Sequence, residues 1–247
     1  MSASAQKIAF ITGANRGIGF ETAKGLGALG IKVVIGARDT TKGETAAKQL
    51  RDLGYQAETI HYDANQAQSA SQVFEQLNNQ YGKLDILVNN AGINQEQLMG
   101  SNNSSTVSID TLQQTFHSNL FAVIELTQKL LPLIKKSDAG RIVNLSSILA
   151  SLTLHSMPNS PIDPAKAFAY NASKTALNVY TVHLAHELRE TNIKVNSAHP
   201  GWVKTELGGD NAPMKLADGG KTSVQLATLD SKGANGGFFH QGEALPW

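Results

Sequence analysis

A glycine-rich turn between a short apolar run and a helix-like run places the strongest constraint on the fold of this chain. Residues 7–12 read Lys-Ile-Ala-Phe-Ile-Thr, which is typical of a buried strand. Gly13, Gly17 and Gly19 follow with the spacing G-x-x-x-G-x-G, and residues 20–29 are helix-like. In such a unit glycines let the backbone approach a phosphate, and the helix N-terminus supplies free N–H groups and a positive dipole end. The turn therefore indicates a dinucleotide phosphate site, although a tight turn between packed elements has the same composition.

Strand-like and helix-like segments alternate along the rest of the chain. The strand-like runs are continuous and apolar, as in Val33-Val34-Ile35, which is typical of strands covered on both faces. This alternation predicts an α/β fold, with a single Rossmann-type domain over 1–247 that holds a doubly wound parallel sheet of about seven strands with helices on both faces. The predicted strands are 7–12, 32–37, 56–61, 84–89, 140–146, 193–198 and 236–240. The predicted helices are 17–29, 41–53, 67–81, 110–136, 167–190 and 219–229.

The composition of the 247 residues is ordinary for a globular protein, with 41% hydrophobic and 17% charged residues. The net charge of +1 gives no reason to expect nucleic acid or an anionic membrane as a partner. The absence of cysteine excludes disulfides and thiolate catalysis. The chain shows no run of about 18 apolar residues and no secretory N-terminal pattern, so we expect a cytoplasmic protein. The histidines lack metal-ligand spacing, and we expect no bound metal.

Tyr170 and Lys174 lie four residues apart on a helix-like segment, and side chains at this spacing share a helix face. A phenol has a pKa of about 10, and a neighbouring ammonium group lowers that pKa because it favours the phenolate. Such a pair is suited to general acid–base chemistry at a carbonyl oxygen. The same pattern is common on solvated helix faces, so its interpretation depends on the motifs that accompany it.

Further motifs accompany the glycine turn and the tyrosine–lysine pair, in a fixed order along the chain. They are Asn89-Asn90-Ala91-Gly92, Asn119, Ser146-Ser147 and Pro200-Gly201. In this order and separation the motifs resemble the short-chain dehydrogenase/reductase family, classical type, over nearly the whole chain. The stretches 36–39, 200–205 and 237–247 look most similar to the carbonyl reductases of that family.

The resemblance implies a catalytic set of Asn119, Ser147, Tyr170 and Lys174. Tyr170 would donate a proton to the carbonyl oxygen, while Lys174 would lower the pKa of the phenol and hold the nicotinamide ribose. Ser147 would orient the substrate oxygen and stabilise its developing charge, with Ser146 as the less favoured alternative. Asn119 would hold a water that passes protons to Lys174, although a buried Asn also serves simply to satisfy backbone groups.

Arg38 ends the second predicted strand, where the adenosine ribose of a dinucleotide is expected. An acidic residue there binds the ribose 2′-OH of NAD, whereas an arginine pairs with the 2′-phosphate of NADP. In the family pattern the acid that selects NAD aligns with Ala37, so NADP(H) is favoured over NAD(H). Asp39 competes with this interpretation, since it is able to bind a ribose hydroxyl or else to cap the next helix. Arg16 and Lys42 would add positive charge, although Lys42 also fits a solvated helix face.

Other residues are assigned to the cofactor by the resemblance. Asp63 would contact the adenine, although a loop Asp also forms Asx-turns. Residues 90–92 would line the adenosine ribose, whereas Asn89 is expected to tie neighbouring strands together. The residues predicted to bind the dinucleotide are Gly13, Asn15, Arg16, Gly17, Ile18, Gly19, Arg38, Lys42, Asp63, Ala64, Asn90, Ala91, Gly92, Tyr170, Lys174, Pro200, Gly201, Val203 and Thr205.

Irregular segments are expected on the substrate side, beyond the carboxyl ends of the strands. Residues 206–220 resemble the family's substrate lid, whose closure excludes water. Residues 150–166 would form one wall of an apolar pocket, and residues 93–99 the opposite wall. The stretch 152–164 lengthens the interval between the catalytic serine and tyrosine, and a longer insertion in the carbonyl reductases covers the face that other members use to form tetramers. A monomer is therefore favoured, with a homo-oligomer left open.

Together these features predict an NADPH-dependent reductase of aldehydes or ketones, which acts on a small-molecule carbonyl substrate with Tyr170 as general acid. An NAD(P)-dependent alcohol or steroid-type dehydrogenase of the same fold is the nearest alternative. A non-catalytic dinucleotide-sensing protein is disfavoured because the catalytic groups are retained. A nucleotide-sugar epimerase or dehydratase is disfavoured because the residues after Thr181 leave no room for a separate substrate domain.

Overall fold

Eight strands form one sheet in the computed structural model, which describes residues 6–100 and 102–247. The strands are β1 (Ile8–Thr12), β2 (Lys32–Ala37), β3 (Ala57–His61), β4 (Ile86–Asn89), β5 (Arg141–Leu145), β6 (Lys194–Ala198), β7 (Phe238–His240) and β8 (Glu243–Ala244). Their order across the sheet is β3-β2-β1-β4-β5-β6-β7-β8, and every pairing is parallel except the last. The predicted doubly wound parallel sheet is thus confirmed, with one strand more than expected.

The additional strand, β8, is two residues long and exposed, and it pairs antiparallel with β7. A two-residue turn joins them, in which Gln241 and Gly242 both have positive φ angles (47° and 92°). Positive φ at both central positions matches the right-handed twist of a hairpin. Two residues are too few to give the sequence a strand-like period, which is why β8 was not predicted.

Within the described residues eight α-helices connect the strands: α1 (Gly17–Ala28), α2 (Thr40–Asp52), α3 (Ser69–Tyr81), α4 (Ile109–Phe116), α5 (Ala122–Ile134), α6 (Leu152–Ser156), α7 (Phe168–Glu187) and α8 (Lys221–Ala227). The predicted helix 110–136 is interrupted by a π-helical turn, His117–Phe121, between α4 and α5. The short helix α6 lies inside the segment 150–166 that was expected to be irregular. Among the described residues no helix is long and apolar enough to span a membrane.

The alternation of side chains along each strand builds a hydrophobic core on both faces of the sheet. In β1, Ile8 and Phe10 pack into one cluster with side chains from α3, α5 and α7. The intervening Ala9 and Ile11 pack into a second cluster with side chains from α1, α2 and α8. Both clusters are buried, so the continuous apolar runs of the sequence reflect strands that are covered on two sides.

The order of the strands reverses its direction between β1 and β4. The chain winds outward from β1 through β2 to β3, then crosses back to β4 and winds outward through β5 and β6. At such a switch point the loops after the two central strands diverge and leave a crevice at their carboxyl ends. The glycine turn after β1 and the segment 90–92 after β4 meet at this crevice.

Candidate active site

A cleft of about 1490 Å³ lies at the carboxyl ends of the strands, and almost every predicted site residue lines it. Pockets for drug-sized ligands measure roughly 300–1,000 Å³, so this cleft has room for a dinucleotide together with a substrate. All nineteen residues predicted to bind the dinucleotide are part of its lining, and so is Ser147. Asn119 lies behind the cleft, against Gly92 and Ile93.

The glycine turn has the geometry of a phosphate cradle. Gly13 and Gly17 have φ angles of 65° and 62°, which L-amino acids with side chains rarely adopt. A Cβ atom on Gly19 would lie 2.5 Å from Asn90 Nδ2 and 2.7 Å from the Gly13 oxygen, so the turn packs too closely against itself and Asn90 to admit a side chain there. Among the described side chains none caps the start of α1, and its first N–H groups are available to an anion. These residues fit a dinucleotide pyrophosphate.

Hydrogen bonds hold the turn against the end of β4. The Asn90 side chain donates to the Thr12 carbonyl at 2.8 Å, and the Thr12 hydroxyl accepts from the N–H groups of Asn90 and Ala91 at 3.0 Å each. Asn89 donates to Asn144 at 2.8 Å and so ties β4 to β5. The two loops that meet at the switch point are therefore fixed to each other as one platform.

Asp39 and Arg38, the two residues that competed for the adenosine ribose in the sequence, have different surroundings in the structure. Asp39 caps α2, because its carboxylate accepts a hydrogen bond from the Lys42 N–H at 3.0 Å. This bond and the ammonium group of Lys42, 3.6 Å from the carboxylate, lower the pKa of Asp39. Arg38 is exposed and lines the cleft. Asp39 is thus engaged by its helix, whereas Arg38 forms no ion pair with any described residue, and its contact with the ribose substituent stays a prediction.

The other predicted adenosine contacts line the same end of the cleft. The Asp63 carboxylate accepts from the Asn65 N–H at 3.0 Å, which is the Asx-turn that the sequence left as an alternative. The Ala64 carbonyl lies 3.0 Å from Nε2 of His117, in the π-helical turn. The other carboxylate oxygen of Asp63 accepts a longer hydrogen bond from the Gln66 side chain at 3.4 Å, and the contact of Asp63 with an adenine stays a prediction.

Tyr170 is buried, with 8% of its surface exposed, and it lines the cleft from the first turn of α7. Burial raises the pKa of its phenol to about 12, and a hydrogen bond with the Ser147 side chain opposes this increase in part. The phenol pKa is therefore raised, and not lowered as the spacing suggested, because burial is the largest cause of its shift. The consequence is a neutral phenol at physiological pH, which is the form that donates a proton. The effect of Lys174 on the phenolate stays a prediction.

Lys174 lies one turn further along α7 and is only 4% exposed. Its Nζ donates to the Leu145 carbonyl at 2.7 Å and lies 5.9 Å from the centre of the Tyr170 ring. Burial lowers the pKa of this ammonium group to about 8. A Cβ atom on Gly92 would lie 3.3 Å from Nζ, so the glycine keeps the space in front of the ammonium group open.

The two candidate serines differ in their surroundings. Ser147 shares a hydrogen bond with the phenol, and its Oγ also accepts from the Leu149 N–H at 3.2 Å. The Ser146 Oγ is buried and has no hydrogen-bond partner within the described part of the chain. The contact with Tyr170 favours Ser147 as the group that would orient a substrate oxygen.

Both polar atoms of the Asn119 side chain form hydrogen bonds with other residues of the protein. Its Oδ1 accepts from the Ile93 N–H at 2.8 Å, while its Nδ2 donates to the Ile93 carbonyl at 2.9 Å and to the Ser173 hydroxyl at 3.0 Å. Asn119 therefore clamps the loop after β4 onto α7, and its role in holding a water stays a prediction. The π-helical turn around it widens the helix locally, a feature that is frequent at functional sites.

His199 and Glu96 line the cleft although the sequence gave no reason to select them. The His199 Nδ1 accepts from the Ile148 N–H at 3.1 Å, next to Ser147. Burial lowers the pKa of His199 to about 3, so the ring is neutral and its other nitrogen carries the hydrogen. Its position directly before Pro200 is the one local signal that could have drawn attention to it. Glu96 contacts Tyr170 across 74 residues of sequence, and no local pattern predicts such a contact.

The substrate side of the cleft has apolar walls. Leu149, Ile162 and Ala165 form a cluster with Tyr170, against which Leu98 of the opposite wall also packs. Val179 and Val182 on α7 are 54% and 40% exposed. The insertion packs against the tyrosine and leaves these two valines exposed, and the preference for a monomer stays a prediction.

The predicted lid is a loop with a closed base. The backbone N–H of Met214 donates to the Trp202 carbonyl at 3.1 Å, and the Met214 carbonyl accepts from the Lys204 N–H at 3.0 Å. These bonds hold the two ends of the loop 205–213 together. Glu206 in this loop forms an ion pair with Arg16 of the glycine turn. The ion pair joins the loop to the glycine turn through two exposed side chains, and the contribution of Arg16 to the cofactor site stays a prediction.

Comparison with known proteins assigns the family. Residues 7–215 match the family model described as short chain dehydrogenase. The chain therefore belongs to the short-chain dehydrogenase/reductase family of oxidoreductases, whose members bind a nicotinamide dinucleotide. Within the described residues no group of histidine and acidic side chains could hold a metal ion.

Three known proteins illustrate the similarity. A short-chain dehydrogenase, anuI, of Penicillium roqueforti (strain FM164) is 33% identical over 238 residues, which cover 94% of this chain and 92% of the relative. Carbonyl reductase (NADPH) 1 of Mus musculus is 30% identical over 285 residues, with 99% of each chain covered. The crystal structure of NADPH-bound carbonyl reductase from chicken fatty liver has a TM-score of 0.82 at 26% identity, with 98% of this chain and 99% of that chain covered.

Proposed function

We propose that this protein is an NADPH-dependent reductase of apolar aldehydes and ketones. The observation that carries the proposal is the convergence of Ser147, Tyr170 and Lys174 on the floor of a cleft whose glycine turn fits a pyrophosphate. The mouse relative and the chicken structure, both named as carbonyl reductases with NADPH, support the choice of reaction and cofactor.

The chain offers a separate group for each part of the cofactor. The turn Gly13–Gly19 and the start of α1 would hold the pyrophosphate, and Arg38 would pair with the 2′-phosphate of NADPH. Lys174 would donate hydrogen bonds to the nicotinamide ribose, and Val203 and Thr205 would hold the nicotinamide end. When bound, NADPH supplies the hydride that the carbonyl carbon accepts.

The protein's own contribution is the proton for the carbonyl oxygen. With a pKa of about 12 the Tyr170 phenol is protonated at neutral pH, and it gives this proton to the oxygen as the carbon is reduced. The Ser147 hydroxyl donates a hydrogen bond to the same oxygen and stabilises its developing charge. The product is the alcohol, with one hydrogen on carbon and one on oxygen.

Lys174 would restore the proton of Tyr170. Its pKa of about 8 lies close to neutral pH, so the ammonium group exchanges protons far more readily than an ordinary lysine. A charged Lys174 also stabilises the phenolate that is present after each turnover. The burial that lowers this pKa therefore suits Lys174 to return a proton from solvent.

Tyr170→Phe tests the assignment of the proton donor. The substitution removes only the hydroxyl, so NADPH binding should stay within about tenfold of the wild type while turnover of any carbonyl substrate falls by at least a factor of about 10². Quenching or enhancement of NADPH fluorescence measures binding, and the loss of NADPH absorbance measures turnover. Turnover that survives in the phenylalanine variant would show that another group donates the proton.

A further inference from the structure

We propose that Glu96 is a positioning residue for Tyr170, which fixes the proton donor to the opposite wall of the substrate pocket. The proposal rests on the proposed function, because it concerns the same tyrosine. Its central observation is that Oε2 of Glu96 accepts a hydrogen bond from the backbone N–H of Tyr170 at 3.1 Å. Glu96 comes from the loop between β4 and α4, whereas Tyr170 is the third residue of α7.

The start of α7 has no cap of its own. The residue before the helix is Ala167, whose methyl side chain has no hydrogen-bonding group to offer the first turn. The first N–H groups of a helix lack partners within that helix and need side chains or water. The Glu96 carboxylate supplies this partner from a distant loop, and a negative charge at a helix N-terminus is further stabilised by the helix dipole.

Glu96 is itself held in place. Its backbone N–H donates to the Asn94 Oδ1 at 3.0 Å, which fixes the local turn of the loop. Three residues earlier, the backbone N–H and carbonyl of Ile93 are both hydrogen-bonded to the side chain of Asn119, which also bonds to Ser173 of α7. The loop is therefore fastened to α7 at Ser173 through Asn119 and at Tyr170 through Glu96.

This double attachment has a consequence for the pocket. Leu98, two residues beyond Glu96, packs against the cluster that contains Tyr170 and Leu149. Glu96 is half-buried at the cleft, and its carboxylate forms no ion pair with any described residue. The hydrogen bond to the Tyr170 N–H is thus the contact that engages the Glu96 carboxylate. This bond holds Tyr170 and the apolar wall that contains Leu98 in a fixed arrangement.

Substitutions at Glu96 test separately the length of its side chain and its negative charge. Glu96→Gln keeps an accepting oxygen at the same distance and removes the charge. Glu96→Asp keeps the charge and withdraws the oxygen by one methylene, and Glu96→Ala removes both. Glu75→Ala, an exposed position on α3, is the matched control for loss of a surface carboxylate.

Two measurements on the full-length variants test the proposal. Hydrogen exchange of a peptide that contains residues 168–172 reports on the first turn of α7 without any need for activity. Exchange there should increase roughly fivefold in the alanine and aspartate variants, the fold-change that corresponds to an N-cap of about 1 kcal/mol. The kcat for a carbonyl substrate should fall about tenfold in these two variants, because misplacement of an acid slows the chemical step. The glutamine variant, which keeps the accepting oxygen and loses only the charge, should lie closer to the wild type than to the alanine variant, and the control variant should match the wild type within about twofold.

The measurements distinguish a positioning role of Glu96 from a purely structural role and from a failure of the proposed function. NADPH affinity, measured by fluorescence, should change less than about twofold in every variant, since Glu96 contacts α7 and not the glycine turn. A glutamine variant as impaired as the alanine variant would overturn the proposal, and so would increased exchange with unchanged kcat, because the contact would then be a structural cap alone. A wild type that reduces no carbonyl refutes the proposed function instead, and the exchange data then still decide whether Glu96 fixes Tyr170.

Discussion

The pH dependence of folding stability should report directly on Lys174. Burial lowers the pKa of its ammonium group from an ordinary value of 10.5 to about 8. Between these two values the unfolded chain holds more protons than the folded one, so the free energy of unfolding rises with pH across this window. One unit of pKa corresponds to about 1.4 kcal/mol, so Lys174 alone should add about 2 kcal/mol between about pH 7 and about pH 9.5. Tyr170 does not interfere, because its raised pKa affects stability only above about pH 10.

Lys174→Met removes the titrating group and keeps an unbranched side chain of similar size. Urea denaturation of the wild type and the variant at the two pH values, without cofactor, gives four free energies of unfolding. Other groups titrate in both proteins, and their contributions cancel in the comparison. We expect the wild type to gain about 2 kcal/mol relative to the variant at the higher pH. Parallel changes in the two proteins would refute the lowered pKa and, with it, the role of Lys174 in proton return at neutral pH.

Two further substitutions test the cofactor site. Arg38→Ala should weaken NADPH binding by roughly 1–3 kcal/mol and leave NADH binding nearly unchanged, as measured by fluorescence titration; equal weakening of both would contradict a contact with the 2′-phosphate. Lys42→Ala is its control and should have a smaller effect, because Lys42 already pairs with Asp39. Gly19→Ala should lower NADPH affinity at least tenfold and cost about 1–3 kcal/mol of stability in thermal unfolding, since its Cβ would lie 2.7 Å from the Gly13 oxygen; wild-type binding would show that the turn tolerates a side chain.

The sheet could be predicted because its strands are buried on both faces. Continuous apolar runs such as 32–37 and 84–89 have few other interpretations in a chain that alternates with helix-like segments. The glycine turn and Asn90 were likewise recognisable in the sequence. The turn requires glycine where φ is positive, and its attachment to β4 requires a side chain that donates a hydrogen bond. Features with weak local patterns, such as the two-residue strand β8 and the π-helical turn at His117–Phe121, were missed.

The electrostatics of the site depend on burial, which spacing alone does not reveal. The distance from Tyr170 to Lys174 along a helix suggested a lowered phenol pKa, yet enclosure by the walls of the pocket raises it. Contacts between distant parts of the chain were equally inaccessible. The bond from Glu96 to Tyr170 and the ion pair between Arg16 and Glu206 join residues that only the folded loops bring together.

The most direct test of the account is the rate at which the purified protein consumes NADPH and NADH, side by side, with a panel of apolar aldehydes and ketones. Loss of absorbance of the reduced nicotinamide gives kcat/KM for each pair. The account predicts reduction of at least some members of the panel, with NADPH preferred over NADH by at least about tenfold, in line with the loss of about 1.4 kcal/mol or more at Arg38. Equal use of the two cofactors, or binding of NADPH with no turnover of any carbonyl, would contradict it.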